Sequence, residues 1–102
     1  MQMHRRKKVE IVTEVIQAPR IVAMIEKAGA KGYTVIPNVS GKGRRGVRGD
    51  GDVVNVFRNA LVIVITTEEI AARVVEEAHR LLENYAGIVY VSDVEVVRED
   101  HF

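Results

Sequence analysis

The chain has 102 residues, 47% of them hydrophobic, a net charge of +1 and no cysteine. That length gives room for one domain with an ordinary core. The near-balanced charge excludes a polyelectrolyte drawn as a whole to nucleic acid or membrane, and the missing cysteines exclude disulfides, thiolate metal sites and cysteine nucleophiles. No apolar run approaches the ~18 residues that span a bilayer, and no apolar signal segment follows the basic start MQMHRRKK. A cytoplasmic protein is therefore the expected setting, with membrane contact only through a partner. At 5% aromatic residues, a base-stacking RNA platform has little to build on.

Lys8 to Val15 alternates. Val9, Ile11, Thr13 and Val15 share one face and Glu10 and Glu14 the other, which predicts a half-buried strand. Pro19 suits the first turn of a helix. Ile21, Met24, Ile25 and Ala28 follow at helical spacing, and Gly29 is placed to stop the helix. YTVIPNV, from Tyr33, reads as a second strand, with Pro37 marking an edge or a bulge. Val53 to Thr67 is rich in β-branched residues and long for one strand, with a bend expected at Arg58-Asn59. Thr66 and Glu69 have the spacing of a capping box. Ile70, Val74, Ala78, Leu81, Leu82 and Tyr85 then give a second helix one apolar stripe down to about Asn84. Gly87 ends the turn, and IVYVSDVEVV is the last strand.

The order is βαββαβ. It predicts an α+β, ferredoxin-like fold over residues 1–102, with an antiparallel sheet and two helices on one face. The uncovered face is expected to carry Val12, Val89 and Val91, with Val62 and Val64 added to whichever face the first does not take. Such a patch favours self-association.

Strands 2 and 3 form a hairpin whose tip is SGKGRRGVRGDGD, Ser40 to Asp52, which holds five of the eight glycines. Hairpin loops usually take 2–5 residues, so a tip this long points to function. GKGRRG matches G-x-G-x-x-G in letters, but a dinucleotide fingerprint must open a helix, and this one leads back into a strand. No Walker A motif exists. What remains is glycine backbone able to turn N–H groups toward an anion, beside arginines able to pair with phosphate oxygens. A solvated basic loop and a nucleic-acid backbone handle are the competing readings, and Asp50 and Asp52 count against the second. Gly87 reads either as a helix C-cap or as a turn that lets a planar ring lie close. His4, His79 and His101 make no metal set, and no Ser/His/Asp arrangement has usable spacing, so no catalytic residue and no metal site are expected.

KVEIVTE at strand 1, AGAKGYTV at 28–35, GKGRRGVRG at 41–49 and NYAGIVYVSDVEV at 84–96, in this order of elements, resemble the PII-like signalling proteins. More narrowly they resemble the branch tied to inorganic carbon. That branch includes the PII-like partner of the cyanobacterial bicarbonate transporter and the carboxysome-associated PII-like protein. The resemblance implies a homotrimer with adenine nucleotide between neighbouring subunits. The ligands would be ADP or AMP, or else ATP or cyclic AMP, with bicarbonate beside them and no prosthetic group. It makes residues 40–53 the T-loop, which orders over the ligand and meets a bicarbonate transporter or a carboxysome-associated protein.

Carried over by position, Gly32, Tyr33, Thr34 and Val35 line the cleft. Gly41, Lys42 and Gly43 meet the phosphates, Arg45 and Arg48 clamp them, and Ala86, Gly87 and Ile88 present backbone to the adenine ring from the next subunit. The loop lacks the tyrosine that classical PII proteins use for nucleotidylation, and the tail REDHF has no redox cysteines. Ordering the loop costs roughly 1–2 kcal/mol per residue fixed, set against charge-assisted hydrogen bonds to phosphate, a close balance suited to a switch. The implied protein is a regulator and not an enzyme, and no nucleic acid is expected. A slow ATP or ADP hydrolase in the same cleft and a nucleic-acid-binding module stay open as alternatives.

Overall fold

The structure is a computed structural model, and it describes residues 1–41 and 58–102. Four strands, β1 (His4–Glu14), β2 (Thr34–Val39), β3 (Asn59–Thr66) and β4 (Gly87–Val96), form one antiparallel sheet in the order β2-β3-β1-β4. Helices α1 (Ala18–Ala28) and α2 (Glu68–Leu81) cover one face. This is the α+β, ferredoxin-like arrangement that the order of elements predicts. The stretch expected to begin the third strand, from Val53, and most of the loop at 40–53 lie outside the described residues.

β1 begins four residues before the expected Lys8, in the basic run that carries no apolar alternation. Its partner explains this. The register sets Arg5 opposite Glu95 and Lys7 opposite Asp93 on β4, and opposite charges facing across strands favour pairing. Lys7 Nζ donates to Asp93 Oδ1 at 2.5 Å. That bond and the nearby charge hold the Asp93 carboxyl below its ordinary pKa and the Lys7 ammonium above its own. The lowered carboxyl lends stability that is present above the ordinary carboxylate range and lost as pH falls through the lowered value. The raised ammonium's share is present below the ordinary lysine value and lost as pH rises through the raised one. Asp93 is exposed and Lys7 partly so, so the pair helps to set register more than it adds stability. Val15 does not extend the strand; it opens a short 3-10 turn, Val15–Gln17, that leads into α1.

In α1, Pro19 sits in the first turn, where its missing N–H costs nothing. Gly29 ends the helix in the left-handed conformation, φ 105°, its amide donating to the Glu26 carbonyl at 3.1 Å. β2 is an edge strand. Its register with β3 breaks between Pro37 and Val39, where Asn38 takes a φ of 61°.

The capping residue of α2 is Thr67 and not Thr66. Thr67 Oγ1 accepts from the Ile70 amide at 3.3 Å. Thr66 is still paired with Lys7 in the sheet, and its side chain is buried. The spacing to Glu69 favours Thr66, but the ladder holds that residue in the sheet, and the cap passes to Thr67, which has Ile70 at the third position. Thr67→Ala is expected to lower the unfolding free energy by about 1 kcal/mol, measured by urea denaturation, with Thr67→Ser close to wild type.

The core lies between helices and sheet. Val9, Ile11, Val62 and Val64 meet Ile21, Ile25, Ala71, Val74 and Ala78 there. The two faces of the sheet divide differently from expectation. Val62 and Val64 are buried under the helices, and Val89 packs against the same core. Val91, opposite Val9, shares that side. The pairings Val9–Val64 and Ile11–Val62 put these residues on the helix side of both strands. Of the expected open-face valines, Val12 alone belongs there. Its apolar neighbours on that face are Leu61 directly opposite, Ile63 and Ile65 further along β3, and Ile88 on β4. Among the described residues, no helix is long and apolar enough to cross a membrane.

Candidate functional site

The segment after α1 turns through Lys31 and Gly32 into β2, leaving Tyr33 45% exposed beside the open face. β3 supplies that region with Ile63 and Ile65, the next two outward-facing residues after Leu61. A third contribution comes from the tail. Beyond β4 a short 3-10 turn, Glu99–His101, is tied at three points, two on β1 and one on the connection into β2. His4 Nδ1 lies 2.8 Å from Glu99 Oε2. Arg6 Nη2 donates to the Glu99 carbonyl at 3.3 Å, and Lys31 Nζ to the Asp100 carbonyl at 2.9 Å.

These ties bring His101 and Phe102 against Lys31, Gly32, Tyr33, Thr34, Ile63 and Ile65 around a cleft of about 450 Å³. Isoleucine side chains contribute apolar lining, and three aromatic or heteroaromatic residues border it. The hydroxyls of Tyr33 and Thr34, the His101 imidazole and the Lys31 ammonium add polar groups. Pockets of this make take flat, largely apolar guests and orient them through a few polar groups. Lys31 is already engaged by Asp100, so an added anion would have to compete for it. Further along the open face, the phenol of Tyr90 donates to Glu10 Oε2 at 3.1 Å. Desolvation first, and then the bond to that carboxylate, hold the phenol above its ordinary pKa.

The residues singled out from sequence fall in separate places. Gly32, Tyr33 and Thr34 border the cleft together. Val35 turns its side chain the other way, onto the core opposite Val62. Gly41 lies past the far end of β2, exposed and with open space where a side chain would begin. Lys42, Gly43, Arg45 and Arg48 lie outside the described residues. Ala86, Gly87 and Ile88 sit at the start of β4, on the opposite edge of the sheet, with β3 and β1 between them and β2. Three strand spacings make that roughly 14 Å.

Gly87 is not the C-cap of α2, since the helix ends at Leu81 and Leu82 caps it in a right-handed conformation. Gly87 starts β4 pressed against β1, where the Thr13 hydroxyl donates to the Ala86 carbonyl at 2.8 Å. Lys31, Ile63, Ile65, His101 and Phe102 were not anticipated as site residues. For the isoleucines a signal was present: Ala60 to Ile65 is apolar at every position, which marks a strand with apolar surroundings on both faces. Among the described residues, no group of three or more His, Asp or Glu side chains could hold a metal.

Comparison with known proteins gives consistent matches. The CPII protein of Thiomonas intermedia K12, described as a nitrogen regulatory PII-like protein and solved with ADP, AMP and bicarbonate, superposes with a TM-score of 0.87 at 29% identity, over 99% of this chain and 96% of that one. The same protein bound to ADP and bicarbonate matches at 0.86 and 30% identity, over 99% and 97%. A chain from Thermus thermophilus, described as a putative PII-like signalling protein, matches at 0.81 and 32% identity, over 100% and 99%. The family model for nitrogen regulatory protein P-II matches residues 6–101, nearly the whole sequence, and the chain therefore belongs to the P-II family.

Proposed function

We propose that this protein is an adenine-nucleotide-binding signalling regulator of inorganic-carbon metabolism, a homotrimer that acts by ordering residues 40–53 over its ligand. One observation carries the reading. The cleft beside Gly32, Tyr33 and Thr34 and the segment Ala86–Ile88 lie on opposite edges of one sheet. A single chain cannot close both around one small molecule, whereas two neighbouring copies can. The open face, with Val12, Leu61 and Ile63, is the apolar surface such an assembly would cover. The Thiomonas relative was solved with ADP, AMP and bicarbonate, which supports the same ligand classes for this chain.

In this reading the base lies in the cleft of one subunit and meets the backbone of Ala86, Gly87 and Ile88 from the next. The phosphates point to Gly41, Lys42 and Gly43, and Arg45 and Arg48 pair with their oxygens. Bicarbonate would draw on the same cations. The ordered loop then presents a new surface to a bicarbonate transporter or a carboxysome-associated protein.

Replacing Arg45 and Arg48 by alanine is expected to weaken ADP binding by roughly 10- to 100-fold, the worth of one or two charge-assisted hydrogen bonds. The oligomeric state by light scattering should stay that of wild type. Calorimetry showing an unchanged ADP affinity would overturn the role given to these arginines. Phosphate release from ATP or ADP by the purified protein would instead favour a hydrolase.

A further inference from the structure

We infer that Lys8, Glu10 and Tyr90 form a polar pin that fixes how copies of this chain seat on one another across the open face of the sheet. The inference rests on the functional reading above, which brings neighbouring copies together, and it names the side chains that select one arrangement among them. The middle row of that face runs Thr34, Ile63, Glu10 and Tyr90 across all four strands. On one side of it lie Leu61, Val12 and Ile88, and on the other Ile65, Lys8 and Ser92. A carboxylate thus stands among apolar neighbours, and the Glu10 side chain is only 15% exposed in the single chain. Both of its oxygens are engaged. Oε1 lies 3.5 Å from Lys8 Nζ, and Oε2 accepts from the Tyr90 phenol at 3.1 Å.

Covering this face takes the cluster out of water. A lone carboxylate would oppose that strongly, whereas one already paired on both oxygens can be enclosed. Lys8 and Glu10 also cancel each other's charge, so the cluster draws no partner of either sign and suits a second copy of the same face. Affinity does not require it, since well-packed apolar groups in its place would hold at least as well. Selection does. Leucine, isoleucine and valine side chains slide past one another with little change in energy, so an all-apolar face would accept several arrangements. A buried polar group penalises every arrangement that leaves it unsatisfied, as a single polar residue does in a helical seam. Tyr90 remains 43% exposed, and its oxygen can still accept a hydrogen bond, which leaves the cluster one place for a donor from the neighbouring copy.

Light scattering and native mass spectrometry on the full chain, over a range of concentrations, test this. Wild type is expected to give one assembly. Tyr90→Phe leaves Glu10 Oε2 unpaired on enclosure and should raise the concentration of half-dissociation by roughly 10-fold. The triple substitution Lys8→Met, Glu10→Leu and Tyr90→Phe should recover that loss but give assemblies of more than one size, with fewer ADP sites per chain by calorimetry than wild type. Tyr90→Phe alone decides the matter if the triple variant does not fold. Unchanged half-dissociation in Tyr90→Phe, or a triple variant that keeps the single wild-type assembly, would overturn the inference while leaving the functional reading in place. A wild-type chain that stays monomeric would overturn both.

Discussion

Replacing Gly87 by alanine is expected to lower the unfolding free energy by about 3 kcal/mol. A Cβ at this position would run into the Val12 carbonyl oxygen, and it would lie 2.8 Å from Leu82 Cδ2 and 3.0 Å from Thr13 Cβ. The first obstacle is backbone within the β1–β4 ladder. It cannot swing aside as a side chain would, so the first residue of β4 must lift away from β1. That movement also threatens the 2.8 Å hydrogen bond from Thr13 to Ala86. For a chain of this length, the loss corresponds to a fall in Tm of roughly 10–20 °C, read by calorimetry at fixed protein concentration. Gly32→Ala and Gly41→Ala are the controls. Nothing lies within 4 Å of a Cβ at either position, and their effects should stay within about 0.5 kcal/mol. A Gly87→Ala protein as stable as these controls would mean that the start of β4 yields freely.

Ile11→Ala is expected to cost about 3–4 kcal/mol. Ile11 is fully buried on β1, directly opposite Val62 on one side and Val89 on the other. Helices and neighbouring strands enclose it, so the space left by truncation cannot collapse easily, and the cavity adds to the lost transfer free energy. Val12→Ala, one residue along, tests the assignment of faces. Val12 is only half-buried and points away from the helices, so its truncation should cost clearly less in the isolated subunit. Equal losses for the two substitutions, measured by urea denaturation, would contradict the register.

Element order and type were legible because periodicity reports them. Ile21 and Ile25 recur at helical spacing, Gly29 closes α1, and Pro37 sits on an edge strand at a break in register. What the pattern left undecided turned on choices it does not encode. Thr66 and Thr67 have the same capping chemistry, and the last rung of the β1–β3 ladder separates them. Val62 and Ile63 are both apolar, and their faces follow from pairing with Ile11 and Glu10. The charged start of β1 shows no alternation, and it becomes a strand because Asp93 and Glu95 answer its cations across the ladder.

The candidate site divides in the same way. Gly32, Tyr33 and Thr34 could be placed by their motif because they are neighbours in sequence. Phe102 could not, because its approach to them depends on ties from His4, Arg6 and Lys31. Such contacts between distant segments leave no local trace in composition or period.

The break at Pro37 and Asn38 has a consequence for the behaviour of the protein in concentrated solution. An outer strand with free amides and carbonyls is a template on which further chains can stack into fibrils. β2 spoils that template, because proline has no amide hydrogen to offer and the left-handed asparagine throws the following residues out of step. Strand-by-strand growth is thereby discouraged on this side of the molecule, even when many copies crowd together.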